Sequence, residues 1–249
     1  MDIGLVIVGD EVLSGRRRDA HLPKVVEMLT SRGLVLSWVT ILGDDKALLD
    51  STYARTFAGN DLVFSTGGIG ATPDDMTRES VARVLGTTVE RHPEGKLILE
   101  DAAEKRNRPV TDNYLRLIEF PVGANLIPNP INRIPGFSVN HHHFVPGFPE
   151  MAWPMIEWVL DTHYSHLVNN QYQEKAVMVS HQFESAMIPI LEEIEREHPA
   201  VKVFCLPITS EDFPKNEIGV KGHASDVKLA FDHLRQILKD HNYQWERIN

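Results

Sequence analysis

The sequence contains a single cysteine, Cys205, so no intrachain disulfide can form. It has no run of about 18 apolar residues, which removes the usual signature of a membrane-spanning helix. It has no dense block of Lys and Arg, and its formal net charge is −10. A general nucleic-acid binder needs a basic footprint for phosphates, so nucleic acid is not an expected partner. The opening residues MDIGLVIVGDEVLSG lack a basic n-region and reach Asp10 and Glu11 too soon for a secretory signal. They read as a β-strand, and a cytoplasmic setting is the expectation. No paired His/Cys motif points to zinc.

What is present is a globular composition. Hydrophobic residues make up 42% and charged residues 24% of 249 positions, enough for one large domain or a large and a small one. Ile3 to Val8 is a continuous apolar run, as expected of a strand buried on both faces. The patterning then predicts a helix over His21–Arg32, a strand over Val35–Leu42 and a helix over Asp45–Phe57, with Ala47, Leu48, Tyr53 and Ala54 inward. A strand over Asp61–Thr66 and a helix over Asp74–Leu85 follow. Thr72 is placed as the N-cap of that helix, Pro73 at its first position, and Asp75 three residues after the cap. This alternation predicts a three-layer α/β unit with a mostly parallel sheet.

The middle is less regular, with a helix over Leu97–Arg106, a Pro/Gly-punctuated loop and strand in PNPINRIPGFSV, and a strand, turn and helix from His141 to about His163. The first domain is set at residues 1–168. Residues 171–249 read as βαββα, a small α+β domain. Its strands are Lys175–Ser180, VKVFCLPI and IGVKG, and its helices are Glu184–His198, with Pro189 a bend or late start, and Ser225–Asp240.

Three acidic pairs follow the first three strands: Asp10-Glu11, Asp44-Asp45 and Asp74-Asp75. Open α/β sheets bind ligands at the carboxyl ends of their strands, so the pairs are candidates to converge on one rim. Each also has a plain structural reading, as a helix cap or a partner of a helix dipole. Between the last pair and its strand lies Thr66-Gly67-Gly68-Ile69-Gly70, whose N–H groups can hold an anion. It is not a P-loop, because no Gly-Lys-Ser/Thr follows, and it lacks the third glycine of a dinucleotide fingerprint. The turn has no Lys or Arg to neutralise phosphate. A divalent cation, Mg²⁺ first among them, would reconcile carboxylates with phosphate oxygens. On this reading Asp10, Glu11, Asp45, Asp74 and Asp75 are metal candidates. Thr66, Gly67, Gly68, Gly70 and Thr72 are candidate phosphate contacts.

Other features carry less. Arg16-Arg17-Arg18 reads either as a solvated loop or as a contact to an anionic ligand. Adjacent residues on a strand face opposite ways, so His141-His142-His143 is read as structural or solvent-facing, not as one metal site. Cys205 is read as core packing. Ser14 lacks a nucleophile elbow and is left between a turn cap and a ligand contact.

GDEVLSGRRRDAH (Gly9–His21), LGDD (Leu42–Asp45), STGGIGATPDDMTRES (Ser65–Ser80) and VPGFPEM (Val145–Met151) occur in this order. Together with NPINRIPGF they resemble the molybdopterin-binding domain family of molybdenum cofactor biosynthesis. The likeness is strongest to the N-terminal domain of the competence/damage-inducible branch, and it covers about residues 1–165. It implies a three-layer α/β domain that forms homo-oligomers and takes a small-molecule pterin or nucleotide, with Ser14, Gly15, Pro146 and Gly147 inside the matching motifs. It implies either metal-dependent cleavage of ADP-ribose to AMP and ribose 5-phosphate, adenylyl transfer to molybdopterin, or pterin binding without turnover. The catalytic candidates that the resemblance implies are Asp44 and Asp75, at the matching acidic positions. Asp19-Ala20-His21 departs from the Asp-Thr-Asn usual in the branch, and Glu150 sits one place early.

Overall fold

A computed structural model of the chain describes every residue except 106, 108, 170, 209–212 and 249. The chain divides into two compact units, Met1–Val168 and Asn169–Asn249.

The first unit begins β1 (Ile3–Val8), α1 (Asp10–Leu13), α2 (His21–Thr30), β2 (Trp38–Leu42), α3 (Lys46–Phe57), β3 (Leu62–Thr66) and α4 (Thr77–Val84). It continues β4 (Val89–Arg91), α5 (Pro93–Lys105), α6 (Asp112–Leu115), β5 (Glu119–Pro121), β6 (Asn125–Ile127), β7 (Gly136–Val139), β8 (His142–Val145) and α7 (Pro149–His163). The central sheet has the order β2-β1-β3-β8-β7-β6. β1 pairs in parallel with β2 and β3, and β3 with β8. The β7 and β6 junctions are antiparallel, so the sheet is parallel-rich with an antiparallel flank. Both β1 and β3 are buried along their whole length, because one layer of side chains meets α2 and α7 and the other meets Leu49, Tyr53 and Val81 of α3 and α4. Strand alternation delivers Leu5 and Ile7 to one layer and Val6 and Val8 to the other.

Chain order reverses beside β1: β2 lies on one side and β3 on the other. A crevice opens at the carboxyl ends of strands at such a switch point.

Several local expectations need correction. The inward face of α3 is Leu49, Thr52, Tyr53 and Thr56, at helical spacing, while Leu48 is 49% exposed and Ala47 and Ala54 are exposed too. The strand after α2 is only Trp38–Leu42, because Leu34 and Leu36 pack instead against the α2/α7 layer. The helix expected from Asp74 starts at Thr77. Asp75 does reach back to the Thr72 N–H, as a capping residue would, but it also takes the Gly70 N–H and so closes a turn rather than opening a helix. β4, β5, β6 and α6 had not been anticipated; they are three- and four-residue elements with too few positions for a period to register.

The second unit comprises β9 (Tyr172–Ser180), α8 (Glu184–Glu197), β10 (Lys202–Ile208), β11 (Lys215–His223), α9 (Ala224–Asp240) and β12 (Gln244–Arg247). Its antiparallel sheet has the order β10-β11-β9-β12, with β12 the strand not anticipated. One sheet face packs on α8 and α9 through Val177, Val179, Ile218 and Val220. Helix α8 runs through Pro189 without ending there. Cys205 packs partly buried against this core. Among the described residues no helix is long and apolar enough to cross a membrane.

Candidate functional site

A cavity of about 520 Å³ opens at the switch point, a size suited to a nucleotide or a pterin. Val8 and Gly9 reach it from β1, Asp44 from beyond β2, Gly67 to Thr72 with Asp74 and Asp75 from beyond β3, and Pro146, Gly147 and Phe148 from beyond β8. Four strand ends of the first unit therefore contribute to one wall. Leu117, Ile134 and Pro135 supply apolar surface.

The glycine turn is held by its own backbone. Gly67 donates to Val145 O at 3.0 Å, and Gly70 donates to Asp75 Oδ1 at 2.8 Å. Those two N–H groups are therefore not free for a ligand, contrary to the sequence expectation. Among the described residues, the N–H groups of Gly68, Ile69 and Ala71 have no partner, and all three residues line the cavity. Of the glycine amides proposed, only that of Gly68 remains, and Ile69 and Ala71 were missed because side-chain identity says nothing about which amide is spare. Gly67 sits at φ +94°, where a Cβ would fall 2.1 Å from Val8 O. No side chain fits there, and that closeness brings the turn flush against β1.

Asp75 is the organiser of this turn. Its carboxylate accepts from Gly70 N, from Thr72 N at 2.9 Å and from the Thr72 hydroxyl. With three donors engaged, Asp75 holds the shape of the turn while lining the cavity. Thr72 turns its hydroxyl inward to Asp75 although the residue lines the cavity.

The other carboxylates divide into two groups. Asp10 and Asp44 clasp each other's main chain: Asp10 N donates to Asp44 Oδ2 at 3.0 Å, and Asp44 N donates to Asp10 Oδ1 at 3.2 Å. Gly43 permits the clasp, since a Cβ there would meet Asp10 Oδ1 at 2.4 Å. Glu11, Asp44 and Asp74 line the cavity. Burial raises the Asp44 carboxyl above its ordinary range; the Asp10 N–H opposes this, and the charges of Asp10, Glu11 and Asp74 add to it. Asp45 lies elsewhere: its side chain caps α3 by accepting from Leu48 N at 2.9 Å. Ser14 and Gly15 close the short α1 by donating to Asp10 O and Val12 O and do not line the cavity. Thr66 is fully buried at the end of β3, behind the wall.

Two cations stand close to the cavity, one from the arginine run and one, Arg78, that the sequence did not single out. Arg17 lines the cavity with its guanidinium 5.7 Å from the Phe148 ring centroid, so one member of the arginine run does face the candidate site. Arg78, on α4, is 1% exposed and donates to Arg116 O and to Glu119 O, tethering the turn that carries Leu117. Burial lowers its pKa, with Glu79 and then Asp75 acting in the other direction. A single Arg in an amphipathic helix gives no sequence signal of such burial. His21, by contrast, is legible as a helix start, and its Nε2 lies 3.1 Å from Gly147 O, bracing the cavity wall.

The histidine run behaves as expected. His143 is buried between Ser138 and Tyr164, and His142 stacks on Phe57 at 3.8 Å. Among the described residues, no three His, Cys, Asp or Glu side chains are placed to hold a metal unaided.

The family described as a probable molybdopterin binding domain matches residues 4–166. The chain belongs to that family. A CinA-like protein of Anaeromyxobacter sp. (strain K) is 36% identical over 165 residues, which are 64% of this chain and 40% of that protein. The chain thus spans well under half the length of such curated relatives. A Saccharolobus islandicus protein is 25% identical over 248 residues, covering 95% of this chain and 92% of its own. In structure, CinA of Thermoplasma acidophilum, a protein described as of unknown function, aligns with TM-score 0.58 and 23% identity. That alignment covers 65% of this chain and 98% of the other. This establishes a shared fold for the first unit.

Proposed function

We propose that the first unit binds a phosphoanhydride nucleotide of the ADP-ribose type and hydrolyses it with a divalent cation to AMP and ribose 5-phosphate. The observation that carries this reading is the meeting, in one cavity, of three spare turn N–H groups with the Glu11, Asp44 and Asp74 carboxylates. The amides of Gly68, Ile69 and Ala71 hold phosphate oxygens.

The carboxylates fit Mg²⁺ in a limited way. Among the described residues no trio holds an ion unaided, but Mg²⁺ commonly uses one or two carboxylates together with phosphate oxygens and water. Glu11 and Asp74 would hold it alongside the substrate, where it would neutralise charge on the phosphates and polarise the P–O bond. Asp44, raised in pKa and facing the cavity, accepts the proton of the attacking water. Water oxygen bonds to phosphorus, the P–O–P linkage breaks, and the departing phosphate carries the electron pair. Asp75 keeps the turn in shape and takes no proton.

The test is chromatography of ADP-ribose incubated with the protein, with Mg²⁺ and with chelator, alongside Asp44→Asn. AMP and ribose 5-phosphate formed only with metal and lost in the variant support the reading. Family membership favours a second reading, a pterin ligand in the same cavity, and tight pterin binding with no product from ADP-ribose would establish it instead.

A further inference from the structure

In the second unit, one cluster of titratable side chains joins two helices that lie far apart in sequence. His198 ends α8 and His233 sits midway along α9, 35 positions later. Their rings meet: His198 Nε2 lies 3.0 Å from His233 Nδ1, with ring centroids 5.2 Å apart. The other nitrogen of His233, Nε2, faces Glu193 Oε1 of α8 at 3.8 Å. Glu193, His233 and His198 thus follow one another across the α8/α9 contact. The core fixes both backbones. Ile194 and Leu234, the neighbours of Glu193 and His233, are fully buried, and His198 N donates to Ile194 O at 2.9 Å.

A nitrogen–nitrogen hydrogen bond holds one proton between two ring nitrogens that point at each other, and a metal ion can take that proton's place. Two metal–imidazole bonds of about 2.0–2.1 Å at a tetrahedral angle set their nitrogens roughly 3.4 Å apart, so the rings need to part by only about 0.4 Å. Metal-bound histidines commonly have a carboxylate at the far ring nitrogen, and Glu193 stands there. It draws the His233 ring proton to Nε2 and leaves the Nδ1 lone pair facing His198. His198 carries its proton on Nε2 in the hydrogen bond and on Nδ1 once a metal is bound. With both rings neutral, no proton is released overall. The local charge also suits a cation. Leu191–His198 carries Glu192, Glu193, Glu195 and Glu197 against Arg196 alone, and Arg196 pairs with Glu197 at 3.3 Å. Beside His233 on α9, Asp232 and Arg235 pair with each other at 3.3 Å.

We propose that His198 and His233 form a two-imidazole site for a divalent transition metal of the Zn²⁺, Ni²⁺ or Cu²⁺ type, with Glu193 orienting His233 from behind. Imidazole suits these ions, whereas Mg²⁺ prefers oxygen donors. The protein supplies two donors, in keeping with the absence of a three-residue centre among the described residues. Both histidines are partly exposed, so water completes the shell. A bound ion ties the end of α8 to the middle of α9. The inference stands on the second unit alone and does not depend on the activity proposed for the first.

The test is a titration of the ¹⁵N-labelled full chain with Zn²⁺, followed through amide and histidine ring signals, with Ni²⁺ and Mg²⁺ as separate arms. Zn²⁺ should shift the signals of residues 193–199 and 230–236 and of the His198 and His233 ring nitrogens. Ni²⁺ should broaden the same set, Mg²⁺ should leave it unmoved, and chelator should reverse the changes. His198→Gln and His233→Gln should each weaken Zn²⁺ binding by more than the roughly tenfold expected of Glu193→Gln, while His241→Gln, just past α9, should not weaken it. The metal-free amide spectrum of each variant reports its fold, and the Ni²⁺ map of the unaltered chain is independent of every variant. No change at these residues up to about 1 mM Zn²⁺, an equal response to Mg²⁺, or binding that survives His198→Gln/His233→Gln together would overturn the inference.

Discussion

Replacing Gly67 by alanine tests the joint between the ligand turn and the sheet. The new Cβ would lie 2.1 Å from Val8 O and 3.1 Å from Val8 C, both main-chain atoms of a fully buried strand. No rotamer relieves a clash with a backbone carbonyl, so β1 or the turn must move. The φ of +94° adds conformational strain, roughly 1–2 kcal/mol for a residue with a Cβ. Overpacking of this kind costs about 1–3 kcal/mol more. The total, about 2–5 kcal/mol, falls on the first unit. Three of the four tryptophans, Trp38, Trp153 and Trp158, lie in that unit, so fluorescence-detected urea unfolding reports mainly on it. A midpoint unchanged from wild type, with stability within about 0.5 kcal/mol, would refute the close approach of turn and strand.

Asp44→Asn should abolish turnover while leaving the first unit as stable or more stable at neutral pH, by up to about 1 kcal/mol, because it removes a charge that burial and three acidic neighbours disfavour. Arg78→Met should cost about 1–3 kcal/mol in urea unfolding, since the carbonyls of Arg116 and Glu119 lose their donor. His142 titrates in the fold at about 4 against 6.5 for the free side chain, mainly through burial. Its neutral form therefore contributes stability in full above pH 6.5, and this is lost as pH falls toward 4, by about 3 kcal/mol. His142→Phe should flatten the stability–pH curve across that window, and an unchanged slope would contradict the burial.

The sequence carried the parallel-rich core of the fold because β1, β3, α2 and α7 are long enough for their periods to register. It also brought Glu11, Asp44, Asp74 and the glycine turn to one rim, since strand ends in an α/β sheet converge by topology. What it could not carry was the allocation of hydrogen bonds. Asp45 and Asp75 look the same in sequence as Asp44 and Asp74, yet one caps α3 and the other laces the turn. Gly67 and Gly70 look like ligand amides, yet their N–H groups are engaged by Val145 and Asp75. Arg78 was invisible because its burial depends on carbonyls 38 and 41 residues away.

The most direct test is to follow backbone amide signals of the first unit, in the inactive Asp44→Asn variant, as ADP-ribose is added with Mg²⁺. The account predicts large, metal-dependent shifts at Gly68, Ile69 and Ala71, with Gly67 and Gly70 much less affected. Shifts centred on Gly67 and Gly70, or none at the turn while ADP-ribose still binds, would contradict it.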